Sequence, residues 1–377
     1  MKRNVREADV VVVGGGLHGC SAALQLALRG KKVIVLERRY VGRHSSGINA
    51  GGVRTMGRHV AEIALSVAGM DYWHRIRELV ADDCGFVACG QVKVAETPEE
   101  LRKLEVRAAV TARMGYTHEE VIDGAELRRL VPAIAPQCVG AMVVRTDGAA
   151  DPYRTTVAFA TRARAAGATI VEDEGVTALE RDGESWLVVG RRGYYRAPVV
   201  VNAAGAWAAR VAAIIGDDFP LRTRASMMIV TERLPAFVSP VISAVSRKLS
   251  FKQTASGTLL IGGGQQGRTD LDREQGWVDV PNLARSAQAA VGLFPQVRGV
   301  RIVRSWCGIE AETPDGIPVI GMSPHTPGFI HVFGFSGHGF QLGPICGVAV
   351  ADLAMHGASA LPIDAFSPAR FATAAAA

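Results

Sequence analysis

Three glycines at fixed spacing, Gly14-x-Gly16-x-x-Gly19, and an acid eighteen residues beyond them, Glu37, could together hold a nucleotide. Gly14 permits a tight turn, Gly16 lets a pyrophosphate approach the backbone, and Gly19 lets a helix pack close to the strand before it. Phosphate charge would then meet the free N–H groups at the helix start, around Leu17 and His18. An acid at position 37 accepts hydrogen bonds from ribose hydroxyls and repels a 2′-phosphate, so FAD or NAD is favoured over NADP.

That chemistry needs a strand, a turn, a helix and a second strand in order, and the sequence supplies them. Val10, Val11, Val12 and Val13 are β-branched and apolar, as in a parallel strand buried on both faces. Ala22, Ala23, Leu26 and Ala27 give a helix over about 17–29 a small apolar face, Gly30 ends it, and residues 31–36 supply the second strand.

With 377 residues, 48% of them hydrophobic and 21% charged, the chain can bury a sizeable core and is not of the disordered class. The net charge of +6 is spread out. The cluster of Arg191, Arg192 and Arg196 comes with no basic tract or RNA-binding signature, so no nucleic-acid partner is expected. The charged start MKRNVREAD runs straight into the first strand, and no signal peptide is expected. No apolar run reaches the roughly eighteen residues of a spanning helix. Six scattered cysteines without a C-x-x-C pair point to a reducing cytoplasm, with no disulfide framework and no metal site expected; peripheral contact with the inner face of a membrane stays open.

After Glu37, the stretch RRYVGRHSSGINAGGVRTMGRH is too long for a tight turn and too polar for a core strand, the character of a ligand loop. Helical spacing is read over 59–80. The capping box Thr97-Pro98-Glu99-Glu100 opens a helix ending near 114, a short helix follows at 125–130, and Asp151-Pro152 opens another that reaches 166. Strands are read over 90–94, 168–171, 176–180, 186–189 and 199–201. Short β-like runs at 227–231, 249–254, 258–262 and 300–306, with one helix around Leu283 and Leu293, read as a mainly antiparallel sheet. A last strand over 329–333 leads through Gly334, Gly337, Gly339 and Gly343 into a small-residue helix over 345–355.

Four stretches in this order carry a family resemblance: VVVGGGLHG at 11–19 with Glu37, VVNAAGAW at 200–207, RSWCGIEAETPDGIPVIG at 304–321 and HVFGFSGHGFQLGP at 331–344. Together they resemble the flavoprotein oxidoreductases of the D-amino-acid oxidase family, which includes glycine oxidase, sarcosine oxidase and the flavin subunits of hydroxyproline and opine dehydrogenases. The resemblance covers nearly the whole chain. It implies an α/β fold: a discontinuous, Rossmann-like FAD-binding domain over 1–85, 147–220 and 304–377. A second, α+β substrate domain on an antiparallel sheet takes 86–146 and 221–303.

The resemblance also implies non-covalent FAD. It places the cofactor along Gly14, Gly16, Leu17, His18, Gly19, Glu37 and Arg38, and along Ser45, Ser46, Asn49, Ala50 and Gly51 of the loop. Val176, Ala204, Gly205 and Trp207 would lie beside it, and Gly308, Gly337, His338, Gly339, Phe340 and Gln341 near the flavin ring. The activity implied is oxidation of an amino acid's C–N bond, with a hydride passing to flavin N5 and the imine hydrolysing. No protein base is needed if the amine arrives neutral, so His338 and His44 are read as hydrogen-bonding or packing residues.

One departure bears on the substrate. The glycine-oxidase pattern W-A-G-L-R-P-x-T-P-D uses an arginine to grip the substrate carboxylate, and Glu310 stands there in Trp306-Cys307-Gly308-Ile309-Glu310-Ala311. Glu310 either pairs with a cationic substrate group or makes a structural ion pair. The carboxylate then needs another cation, Arg54 or Lys252, with Arg54 better placed after the loop and His338 a further polar candidate. A secondary amine is expected: an N-alkyl amino acid, a cyclic imino acid or an opine. The alternatives are a glycine or D-amino-acid oxidase acting on primary amines, and a flavin-holding assembly component inactive without partner chains. A hetero-oligomer with an electron-transfer subunit is the assembly that the resemblance suggests. Cys307 is one residue out of step with the cysteine that carries flavin in some sarcosine oxidases, and Asp151-Pro152-Tyr153-Arg154 lacks the histidine that carries FMN in others, so no covalent link is expected.

Overall fold

Strand Val10–Val13 is buried along its whole length because parallel neighbours flank it on both sides, Val199–Asn202 and Val33–Leu36. The computed structural model that gives this arrangement describes residues 4–372; the charged residues 1–3 and the alanine-rich tail from 373 lie outside the described residues. The three strands form the middle of a six-stranded sheet that runs from Val319–Met322 and Phe329–Phe333 at one side to Thr169–Val171 at the other. All its pairs are parallel except that of Val319–Met322 with Phe329–Phe333.

A parallel sheet must be covered on both faces. Helices Leu17–Leu28, Pro152–Ala165, Ile63–His74 and Gly339–His356 cover one of them. A four-stranded sheet covers the other, with Trp186, Val188 and Tyr195 packed on Val11, Val13 and Ile34.

Glycines set how near the helices come. A Cβ at Gly19 would lie 2.0 Å from the Gly14 carbonyl oxygen, so helix Leu17–Leu28 lies as close to the turn as a bare backbone allows. The last helix starts at Gly339, not at 345 as the glycine spacing suggested. Gly343 is a helix residue that lets Leu17 approach, with Cδ2 2.4 Å from a Cβ built there, and Gly347 does the same for Ser21. Of the glycines read as loop signals, Gly343 is therefore a helix-packing residue, whereas Gly334 at φ +72° and Gly337 at φ +84° do lie in the loop. The helix expected over 59–80 divides at Arg75, between Ile63–His74 and Ile76–Val80, and the loop before it contains the short helix Ser45–Ile48.

The second unit is an eight-stranded sheet running from Ile302–Glu312 through Arg222–Arg233, Thr258–Gly262, Ser250–Gln253, Val241–Ala244, Gln91–Ala95 and Gly140–Val144 to Glu120–Asp123. It is antiparallel except where Val241–Ala244 meets Gln91–Ala95. Residues 304–312, expected in the FAD-binding part, belong to this sheet: their strand pairs with Arg222–Arg233 nearly end to end. The strands at 120–123, 140–144 and 241–244 are not evident in the sequence, because runs this short carry too little pattern. Alternation along the strands turns Val92, Val94, Ile242 and Phe251 toward helices Gly124–Leu130 and Val280–Leu293. Gln91, Lys93, Ser243, Ser226 and Glu310 line a cavity on the opposite face.

In an ordinary helix interior, Gly→Ala gains up to about 1 kcal/mol. At Gly19 the methyl would meet backbone that no rotamer change can move. Gly19→Ala is therefore expected to cost roughly 3 kcal/mol, read as a lowered midpoint in thermal or urea unfolding; an unchanged or raised midpoint would show that the helix does not lie so close.

Candidate functional site

A cavity of about 700 Å³ runs between the two units, from the glycine turn to the polar face of the large sheet. At the turn, Gly14 has φ +112° and a Cβ there would lie 2.4 Å from the Ala203 carbonyl oxygen, so glycine is required on both conformational and steric grounds. Gly16 faces Ser46, whose Oγ accepts from the Leu17 amide at 3.0 Å. Glu37 accepts from the Gly15 and Arg39 amides, each at 2.7 Å, and lines the cavity. Burial raises its pKa.

Val176, Ala204, Gly205 and Trp207 line the same end of the cavity, and Arg38 lies over the Trp207 ring at 5.1 Å. A hairpin of the second unit, Arg268–Asp270 with Gln275–Trp277, reaches across to this end. Its Glu274 carboxylate is nearly buried and accepts from Arg38 Nε at 2.8 Å and Arg39 Nε at 2.9 Å. The Trp207 indole donates to the Leu271 carbonyl at 3.0 Å, and Arg210 pairs with Asp272. Nothing in the sequence marks Glu274 or this hairpin as part of the site.

At the other end, Ser45, Ser46, Asn49, Ala50 and Gly308 line the cavity together with Gly337, His338, Gly339 and Phe340. The Asn49 side chain is spent on its own loop, donating to the Ser45 and Ser46 carbonyls and accepting from the Gly51 amide. Helix Gly339–His356 points its N-terminus, the positive end of its dipole, into this region. His18 stacks on Phe335 at 3.8 Å, and desolvation holds its pKa down at about 3; half-buried His44, tilted against the Trp207 ring at 4.6 Å at the first end, falls to about 4 for the same reason. Both rings are neutral at physiological pH. His338 Nδ1 is 3.3 Å from Glu62, and its carbonyl accepts from Arg58.

Four of the expected residues lie off the cavity lining. Gly19 faces the Gly14 backbone, as its packing role requires. Gly51 backs onto the Ala150 carbonyl oxygen, 2.2 Å from a built Cβ, with Lys252 Nζ at 2.9 Å from the same point. Lys252 therefore stands behind the loop, where burial lowers its pKa to about 8. Gln341 is fully buried and committed to Arg58 and Ser66. Cys307 sits on the face of its strand away from the cavity, 2.5 Å from a Cβ built on Gly276.

Arg54 lines the cavity, and its guanidinium donates to the Met56 carbonyl at 2.5 Å. Burial lowers its pKa. Among the described residues no carboxylate lies within ion-pair distance of it: Asp147 is held by Thr55 and the Met56 amide, Glu119 by Arg107, and Glu62 by Arg58 and His338. Glu310 accepts from the Ser226 hydroxyl and has no ion-pair partner among the described residues, since neighbouring Arg224 pairs with Glu312 at 3.0 Å. Burial raises its pKa. Gln91 and Lys93, missed in the sequence, could have been found from alternation: in QVKVA these two polar residues fall on one face.

The family model described as FAD dependent oxidoreductase matches residues 9–353. Glycine oxidase of Geobacillus kaustophilus is 27% identical over 95% of this chain and 96% of its own length. A subunit of the opine oxidase of Rhizobium meliloti is 28% identical over 85% of this chain and 87% of its own. The crystal structure of L-proline dehydrogenase from P. horikoshii superposes with a TM-score of 0.91 at 26% identity, covering 98% of this chain and 99% of that one.

The hairpin contact predicts an effect on cofactor retention. Glu274→Ala removes the carboxylate that ties the hairpin to Arg38 and Arg39, and charge-assisted hydrogen bonds of this kind are worth roughly 1.5–3 kcal/mol. FAD is expected to leave the variant at least about tenfold faster on dilution, followed by its fluorescence; a wild-type release rate would mean that the hairpin does not cover the bound cofactor.

Proposed function

Because this chain belongs to the family of FAD-dependent oxidoreductases whose model spans residues 9–353, we propose that it oxidises the C–N bond of an amino acid, with a secondary amine as substrate. An opine, an N-alkyl amino acid or a cyclic imino acid fits. The observation that carries this reading is the pair of charges left unmatched in the cavity, the Arg54 guanidinium and the Glu310 carboxylate. Glu310 would repel a carboxylate from the place where glycine-oxidase-like chains grip it, so the substrate carboxylate goes to Arg54. Two of the similar proteins are named for an opine and for L-proline, both secondary amines.

The residues present fit FAD. Gly14 and Gly16 leave the backbone bare for the pyrophosphate at the start of helix Leu17–Leu28, whose Leu17 amide already donates to Ser46 Oγ, and Glu37 would take the ribose hydroxyls. Gly337, Gly339 and the N-terminus of helix Gly339–His356 hold negative charge at the ring end. Bound FAD supplies the hydride acceptor. Arg54 fixes the substrate carboxylate and so the direction in which its α-carbon points. His18, neutral against Phe335, adds no charge at the ring end, His44 adds none beside Trp207 at the opposite end, and the substrate amine enters neutral.

The opine oxidase relative is one chain of a larger enzyme, which supports a partner chain here as well. Anaerobic titration of the flavin-loaded protein against an amine panel tests the activity: bleaching by secondary amines is expected, and bleaching by glycine alone would replace this reading with a primary-amine oxidase.

Arg54→Ala is expected to raise the half-saturating substrate concentration about tenfold or more, as a charge-assisted bond worth roughly 1.5–3 kcal/mol is lost. An unchanged half-saturation removes Arg54 from the site. Glu310→Gln keeps the shape and removes the charge, so it should weaken substrates with an added cationic group while sparing neutral ones. The wild-type preference for such substrates should fade as pH falls through a Glu310 pKa above the usual carboxylate range, because only the ionised form attracts them. Equal losses for both kinds of substrate, with a lowered unfolding midpoint, would make Glu310 a structural residue.

A further inference from the structure

Arg54 has a companion. Lys93 lies on strand Gln91–Ala95 and lines the same cavity, beside Ser243 on the parallel strand Val241–Ala244. Its neighbour on the same face, Gln91, donates to the Val53 carbonyl at 3.4 Å and the Gly148 carbonyl at 3.2 Å. That clamp ties this strand to Gly52–Val53, so Lys93, two residues past Gln91, stands next to Arg54, one residue past Val53. Like Arg54, Lys93 has no ion-pair partner among the described residues; of the acids nearest the pair, Glu119 and Glu62 are paired with Arg107 and Arg58, and Asp147 accepts from Thr55 and the Met56 amide.

Two half-buried cations on neighbouring segments repel each other, and desolvation with the charge of Arg54 lowers the pKa of Lys93. A fold keeps such a pair at a cost unless an anion answers it. One substrate carboxylate answers one cation. We propose that Lys93 receives a second carboxylate, so that the preferred substrate is a secondary amine flanked by two carboxylates, an N-(carboxyalkyl) amino acid. This rests on the amine-oxidation reading above and narrows its substrate class. Lys93 thereby separates such compounds from N-methyl and cyclic amino acids, which carry one carboxylate. Glu310 lies on the strand at the far edge of the same sheet and remains free for a cationic side chain.

Sulfur analogues test this without turnover, since a thioether in place of the amine cannot be oxidised at C–N. Thiodiacetate carries two carboxylates and methylthioacetate one, and binding of each to the FAD-loaded protein is read from the change in the flavin spectrum. Wild type is expected to bind thiodiacetate at least about tenfold more tightly. Lys93→Met, similar in length and uncharged, should lose most of that preference, and Lys93→Arg should keep it. Equal affinity of wild type for the two analogues, binding of neither, or a Lys93→Met loss of the same size for both would overturn the proposal. Binding as expected with no secondary amine bleaching the flavin would overturn the amine-oxidation reading and leave the dicarboxylate site standing.

Discussion

The structure depends on how close helix Leu17–Leu28 can come to the backbone around it. Gly19 brings it down onto the turn after strand Val10–Val13, Gly14 brings that turn against Ala203, and Gly343 and Gly347 bring helix Gly339–His356 down onto its other side. At each of these four positions a single Cβ would meet an atom at less than 2.5 Å. Because both helices are pinned by such contacts, both N-termini open on the same cavity. Two positive dipole ends thus converge on a space that a phosphate and a developing negative charge can share.

The cavity's second wall has the opposite character. The large sheet presents one apolar face to its own helices and one polar face to the first unit, and on the polar face Lys93 and Glu310 have no ion-pair partner among the described residues. Arg224 and Glu312 answer each other, as do Arg247 and Glu96, and both pairs follow the usual rule for half-buried ions. Among the described residues Arg54, Lys93 and Glu310 lack such a partner, and all three line the cavity, where a ligand could supply one. The substrate reading therefore comes from an electrostatic deficit in the fold more than from similarity to any one relative.

Much of this was legible in the sequence because it is local. The glycine turn, Glu37, the caps at Thr97 and Asp151 and the buried strand Val199–Asn202 each depend on a few adjacent residues, and all formed. What was not legible depends on residues far apart. Glu274 meets Arg38 and Arg39 across 236 and 235 positions, and no local pattern announces it. Gly339 and Gly343 looked like loop because glycine is ambiguous until the partner helix is known. Lys252 was a reasonable cation to propose, but its strand turns it behind Gly51, a matter of register that composition cannot reveal. Lys93 was legible in principle and overlooked, since the alternation in its strand is complete.

The contact between helices Leu17–Leu28 and Gly339–His356 also bears on the birth of the protein. Ser21 meets Pro344, and Arg29 meets Asp352, across 323 positions of sequence. On a ribosome the nucleotide-binding turn is made early, yet its helix has no finished apolar surround until the last long helix emerges. Throughout that interval, Leu17, Leu24 and their neighbours stay uncovered, as apolar surface that a chaperone or another nascent chain can seize. Closure is slow for the same reason, since its decisive contacts join distant parts of the chain.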